Sequence, residues 1–453
     1  MGEKITGLWP LVKLLLQVIS QSLGSPEFLV WMALAMLLVY WQYRRQAAFV
    51  RDMWGQVAFS AWQETLDSLV AGVFGGLLAG LFLIGLGISL SDSGILYLWP
   101  LALLLMFFHP RYLCFSYGGG LLALWKLLTG DPASVHVPAL VGLVAVLHGV
   151  EAFLIAWMGA SKAQPVYVRR PEGKTVGGYL LQRLWPIPTL GISLVWVAQS
   201  QLAGLTDALK SVPTPSWWPL LAGSAPAGSV LGTATGSAGN SFSPVLIVLP
   251  IVAALGYSDL TITQLPQAKA KRSAQWLGLY SVALLGLALA AQYGGTFSTF
   301  FSALAALAMP LGHEAVIYLG QHGEVRRTAL FAVPEGDPSP LRIMAVMPGS
   351  PAAQLGLQVG DALLRVNGEP VSAADQLRQL LASSVGLVAE IQRGDKRVTL
   401  EYSGRAFPLG IVLTPSPEEQ VALPLVEDTF FDGIRRWLGR RVGGQTPPTA
   451  RPK

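Results

Sequence analysis

The chain has 453 residues, of which 52% are hydrophobic and 13% charged, about half the charged fraction of an average soluble protein. So little polar surface excludes an ordinary soluble enzyme and points to a polytopic membrane protein. The formal charge of +5 is modest, and the single cysteine, Cys114, excludes an intrachain disulfide.

Ten apolar segments predict spans, near 5–23, 27–42, 65–90, 95–108, 112–128, 138–160, 187–206, 243–257, 275–293 and 297–312. Lys13 interrupts the first, with no small-residue cleavage site after it, so a cleavable signal peptide is not expected. The first pair and 243–257 leave a re-entrant or interfacial placement open. Arg44, Arg45 and Arg51 follow the second segment, and Arg111 the fourth. Lys162, Arg169, Arg170, Lys174 and Arg183 follow the sixth, Lys269, Lys271 and Arg272 the eighth, and Arg326 and Arg327 the tenth. The alternate loops are poor in charge, which predicts that every second loop and everything after residue 313 is cytoplasmic. The Gly/Ser/Pro/Ala-rich stretch 207–242 reads as a flexible external connector.

Four stretches bear on chemistry. LGHEAVIYLG at 311–320 carries a His-Glu pair, His313 and Glu314, at the end of an apolar segment. A zincin helix needs a second imidazole four residues on, and Ile317 stands there, so the spacing supports no metal ligand set; the pair reads as packing against the bundle or capping the tenth helix. His148 and Glu151 lie one turn apart inside a span and read as a buried hydrogen-bonded pair, with an ion relay as the alternative. FFHPRYLCFSYGGG, 107–120, predicts a helix-breaking turn whose three glycines permit close helix contact. GSAG at 236–239 lacks both the spacing and the base of a serine nucleophile. No catalytic residue, metal or cofactor is expected, nor nucleic-acid recognition.

After about residue 328 charges return and apolar runs shorten to strand length. PEGDPSP, 334–340, is a linker. Beyond it, Leu341–Met347 predicts a strand, and Pro348-Gly349 a turn. Ser350 and Pro351 are N-cap and N1 of a short helix closed by Gly356. Leu363–Val366 predicts a strand, Asn367-Gly368 a hairpin, Ser372 the cap of a second helix, and Val385–Gln392 with Lys396–Tyr402 a strand pair. The tail LVEDTFFDGIRRWLGRRV, 425–442, sets Trp437 on an apolar face flanked by Arg435, Arg436, Arg440 and Arg441, which suits an anionic membrane surface. A partner-binding helix or a solvated tail remain as alternatives.

PGSPAAQLGLQVGD and VNGEPV closely resemble a bacterial PDZ domain. PDZ domains bind peptides by strand addition, with a terminal carboxylate held in a nest of backbone N–H groups. The loop that usually makes the nest is missing before 341, whereas FPLGIVL follows the last strand at 407–413. A circularly permuted PDZ is therefore expected, with Leu409, Gly410 and Ile411 as carboxylate loop beside Leu377 and Leu380. The alternative is a plain closing strand with an occluded groove.

The whole architecture, with FHPRYLCFSYGGGLLAL, LHGVEAFLI and PLGHEAVIYLG in its apolar part, resembles the MinJ cell-division topological determinant family. The resemblance implies a non-enzymatic scaffold that bridges a DivIVA-like polar or septal marker to a MinD-like membrane ATPase and touches division-machinery membrane proteins. The expected fold class is a polytopic α-helical bundle of about 8–10 helices (1–328), a linker (329–340), a cytoplasmic α+β PDZ domain (341–416) and a basic tail (417–453). A PDZ-bearing membrane protease or protease regulator, or a transporter with a sensory PDZ, are the other classes.

Overall fold

The structure is a computed structural model that describes residues 25–54, 59–131, 135–198, 220–221, 234–235, 241–332, 341–383, 385–415 and 422–425. The first expected segment, most of the Gly/Ser-rich connector, the PEGDPSP linker and most of the basic tail lie outside these residues. The chain divides into two compact units. One comprises residues 1–162, 182–258 and 270–313, the other 163–181, 259–269 and 314–453.

Helices dominate the first unit. They are α1 (Pro26–Trp54), α2 (Ala61–Leu86), α3 (Ile95–Met106), α4 (Phe115–Thr129), α5 (Val137–Met158), α6 (Pro266–Tyr293) and α7 (Ser298–Arg326), the last two reaching into the second unit. A 3-10 turn, Pro110–Leu113, joins α3 to α4; His109 caps it by accepting the Arg111 N–H, and Pro110 cannot continue the preceding helix. α5 is apolar all round and is the central helix, packed by α2 and α4. Among the described residues four segments, Ala61–Leu86, Val137–Met158, Pro266–Tyr293 and Gly295–Arg326, are long and apolar enough to cross a membrane. Their outward faces carry exposed Trp62, Phe74, Leu81, Phe153, Leu279 and Phe300, a surface suited to lipid rather than water. The glycines of α4 do bring helices close: a Cβ on Gly119 would meet Met309 and Val144, and one on Gly120 would overlap Pro310 and the Ala306 carbonyl.

Two expected spans are strands instead of helices. Residues 187–206 fall largely in β2 (Thr175–Ala198), and 243–257 lies inside β4 (Ser241–Thr261), which pairs with β3 (Ala234–Thr235). The physical reason is in the sequence. Pro186 and Pro188 in one run, and Pro244 and Pro250 in the other, remove helical donors at intervals a helix cannot absorb, while the β-branched residues around them suit an extended chain. In the first unit β2 then lies on the glycine face of α2. A Cβ at Gly72 or Gly76 would sit 1.9 Å from the Pro186 or Pro188 carbonyl oxygen, so only glycine admits the strand. Thr189 clips it down by donating to the Gly76 carbonyl at 3.0 Å.

In the second unit, β1 (Gln164–Arg169) forms a hairpin with residues 175–180 of β2, turned at Gly173, and β11 (Leu423–Pro424) pairs alongside β1. Glu324 accepts the Ile262 and Thr263 N–H groups at 2.9 Å each and pairs with Lys269 at 3.5 Å. The C-terminal sheet runs β10 (Ile411–Leu413), β5 (Leu341–Val346), β6 (Ala362–Val366), β8 (Leu387–Arg393), β9 (Lys396–Tyr402), with β7 (Glu369–Pro370) also on β6. Helices α8 (Pro351–Leu355) and α9 (Ala374–Ser383) complete the domain around a core that includes Ile343, Leu363, Val366, Leu377, Leu381 and Ile391. Ser350 caps α8 on the Ala353 N–H and Gly356 closes it in the left-handed region. Asn367 and Gly368, both at positive φ, make the tight turn that the Asn-Gly pair predicts. Helix α9 begins at Ala374, and Gln376 accepts the Ser372 N–H at 3.2 Å.

Candidate functional site

Gly410 shapes the loop before β10. Its φ is +76°, and a Cβ there would overlap Ser350. The Gly410 carbonyl accepts the Met347 N–H at 2.8 Å and the Leu409 carbonyl the Ala352 N–H at 3.0 Å, which ties the loop to the start of α8. Leu409 points into the core, and Ile411 opens β10 half-buried. Among the described residues β10 ends the sheet, bonded to β5 on one side with no strand on the other. From α9, Leu377 is fully buried and Leu380 half-buried. Of the five residues expected to form the peptide site, Leu377 and Leu409 lie in one apolar cluster, Leu380 and Ile411 pack against it, and Gly410 is buried in the loop between Leu409 and Ile411. An edge strand, a tight loop and an apolar helix face are what strand addition requires. Tyr167 donates to the Leu413 carbonyl at 3.1 Å, at the end of β10 remote from Gly410.

The other expected residues fare differently. Arg435, Arg436, Trp437, Arg440 and Arg441 lie outside the described residues. His148 is buried on α5, but its ring nitrogens reach the Val144 carbonyl, Cys114 and Ser116. Glu151 follows one turn later on the same helix face. His313 and Glu314 do not cap a helix; both lie well inside α7. Arg183, expected in a charged loop, is buried in β2, 2.7 Å from Glu64 and 3.3 Å from the Tyr43 hydroxyl. Sequence reasoning missed Cys114, Ser116 and Tyr280, which the helices gather around His148. Their only signal was their placement near the glycine-rich turn and inside apolar segments.

Comparison with known proteins agrees with this organisation. Residues 342–396 match the family model described as PDZ domain. Over 296 residues the chain is 25% identical to the cell division topological determinant MinJ of Bacillus subtilis, a match covering 63% of each chain. It therefore spans a little under two thirds of that relative. A second match, 41% identical over 59 residues, is to the periplasmic serine endoprotease DegP of Salmonella typhimurium, and covers 13% of this chain and 12% of that one. The chain thus joins an N-terminal region of apolar helices to a C-terminal PDZ domain, and resembles MinJ along most of its length.

Proposed function

We propose that the protein is a membrane-anchored PDZ adaptor that acts in choosing the cell-division site. The observation that carries this reading is the extent of the MinJ likeness, 63% of the chain, which takes in far more than a PDZ domain. The DegP likeness extends over 59 residues and supports a peptide-binding module rather than proteolysis. On this reading the helices hold the PDZ domain at the inner face of the cell membrane. Leu409, Gly410 and Ile411 take a partner's C-terminal residues as a strand on β10, with Leu380 lining the groove and Leu377 packed beneath it in the core. The partners are a DivIVA-like marker of poles and septa, a MinD-like ATPase and membrane proteins of the division machinery. Arg435, Arg436, Trp437, Arg440 and Arg441 add a basic contact to anionic lipid. The chain itself makes and breaks no bond.

Fluorescent fusions of the full chain and of a chain ending at residue 329, expressed in the native cell, test the reading. Enrichment at septa or poles that is lost on truncation, with displaced septa, is the expected result. A uniform membrane signal with normal division would refute it.

A further inference from the structure

We propose that Cys114, His148 and His313 form a binding site for one zinc-class divalent cation inside the helical unit. The three residues come from three places: Cys114 precedes α4, His148 lies on α5 and His313 on α7. The Cys114 Sγ is 3.2 Å from His148 Nε2 and 3.6 Å from His313 Nε2. One ligand atom from each residue lies within 4.8 Å of the others.

Both imidazoles are prepared for coordination. His148 Nδ1 is 2.7 Å from the Val144 carbonyl, which can only accept. Nδ1 therefore carries the proton, and the Nε2 lone pair faces the sulfur. His313 Nδ1 is held at 3.3 Å by the Tyr117 hydroxyl, which likewise directs Nε2 to the sulfur. A backbone carbonyl or side chain fixing the remote nitrogen is the usual outer arrangement of a metal-binding histidine. Tyr117 and Tyr280 stand edge-on to the two imidazoles and wall the cluster.

The spacing also fits. A tetrahedral cation with bonds of about 2.3 Å to sulfur and about 2.0 Å to nitrogen holds the two donors about 3.5 Å apart, and the observed separations fall on either side of that value. The donor set decides the class of ion. One thiolate with two imidazoles suits zinc and its neighbours, and is a poor match for magnesium or calcium, which take oxygen. Binding deprotonates the Cys114 thiol and releases that proton to solvent, and the ion then ties α4, α5 and α7 together.

Cys114 is the chain's only cysteine, so thiol chemistry on the full-length protein reports on the site directly. In detergent, after chelator treatment, Co2+ should produce a thiolate-to-cobalt charge-transfer band that saturates at one equivalent per chain. Zn2+ should displace the band, and excess Mg2+ should leave it unchanged. Zn2+ should slow maleimide labelling of Cys114 by more than tenfold, with chelator restoring the rate. Cys114→Ser should abolish the band, and His313→Gln should abolish the labelling protection while its thiol still reacts. The wild-type labelling needs no variant to fold. Equal labelling rates with and without Zn2+, or a cobalt band that survives Cys114→Ser, would overturn the proposal.

Discussion

Two carboxylate–guanidinium pairs, one in each unit, have the same chemistry and different surroundings. In the helical unit Glu64 and Arg183 meet at 2.7 Å with side chains 3% and 1% exposed. Lys162 stands 3.9 Å from the same carboxylate, and the Tyr43 hydroxyl is shared between Arg183 and Ser68. In the PDZ domain Asp361 and Arg393 also meet at 2.7 Å, but the arginine side chain is 33% exposed. Asp361 takes both Nε and Nη2 of Arg393 as well as the Gln358 N–H. These hydrogen bonds push the Arg393 guanidinium above its ordinary pKa. The comparison teaches that the value of a pair depends on where its survivor can go. Arg393 can turn to water if Asp361 is lost; Arg183 has no such exit.

Glu64→Gln should therefore cost the most, about 3–5 kcal/mol, because it strands a buried guanidinium. Thermal unfolding of the purified full chain in detergent measures it. Replacing both members by apolar residues, Glu64→Leu with Arg183→Met, should recover most of the loss, since an apolar filling needs no partner. Asp361→Asn should cost about 2 kcal/mol, because two charge-assisted bonds are weakened while the arginine rehydrates; limited proteolysis of the PDZ region in the full chain detects it. An equal loss in the two variants would break the comparison.

Gly410→Ala extends the test to the peptide edge. The +76° φ of Gly410 costs a residue with a Cβ about 1–2 kcal/mol, and the overlap with Ser350 adds to it. If the loop grips a terminal carboxylate, peptides with apolar C-termini selected against the wild-type chain should bind about tenfold more weakly. Fluorescence polarisation reads the change, and unchanged affinity would remove Gly410 from the site.

How much of this was legible in the sequence also differs between the regions. The PDZ domain is written in local signals. Ser350-Pro351 through Gly356 specifies one capped turn, and Asn367-Gly368 specifies one hairpin. Each operates over a few residues, so each survives the absence of tertiary information. In the apolar part, hydropathy registers burial without registering period. The runs at 187–206 and 243–257 therefore read as helices, although Pro186, Pro188, Pro244 and Pro250 were the local clue to strands. Arg183 read as a loop charge because Glu64 is 119 positions away. Cys114 lies 34 positions from His148 and 199 from His313, and no spacing rule spans such gaps. Only the packing of α4, α5 and α7 brings them together.

The smallest expected effect comes from a neutral hydrogen bond in the second unit. Tyr179, on β2, donates to the Met344 carbonyl on β5 at 2.6 Å. Next to it Gly177 gives its N–H to the Phe331 carbonyl at 2.9 Å and leaves room for the Met344 side chain, which a Cβ would strike. Burial pushes the Tyr179 phenol up to about 12, so it stays protonated and donating throughout the neutral range. Its contribution is therefore flat with pH there, falling only as the phenol ionises at strongly alkaline pH. Tyr179→Phe keeps the ring against Phe331 and deletes only the donor. The Met344 carbonyl loses one partner and no charge is stranded, so the cost should be about 1 kcal/mol. Hydrogen exchange of the β5 amides in the full chain should speed up about fivefold, which is that energy expressed as an opening equilibrium. A loss as large as that of Glu64→Gln would mean that burial of charge is not what separates the strong contacts of this molecule from the weak ones.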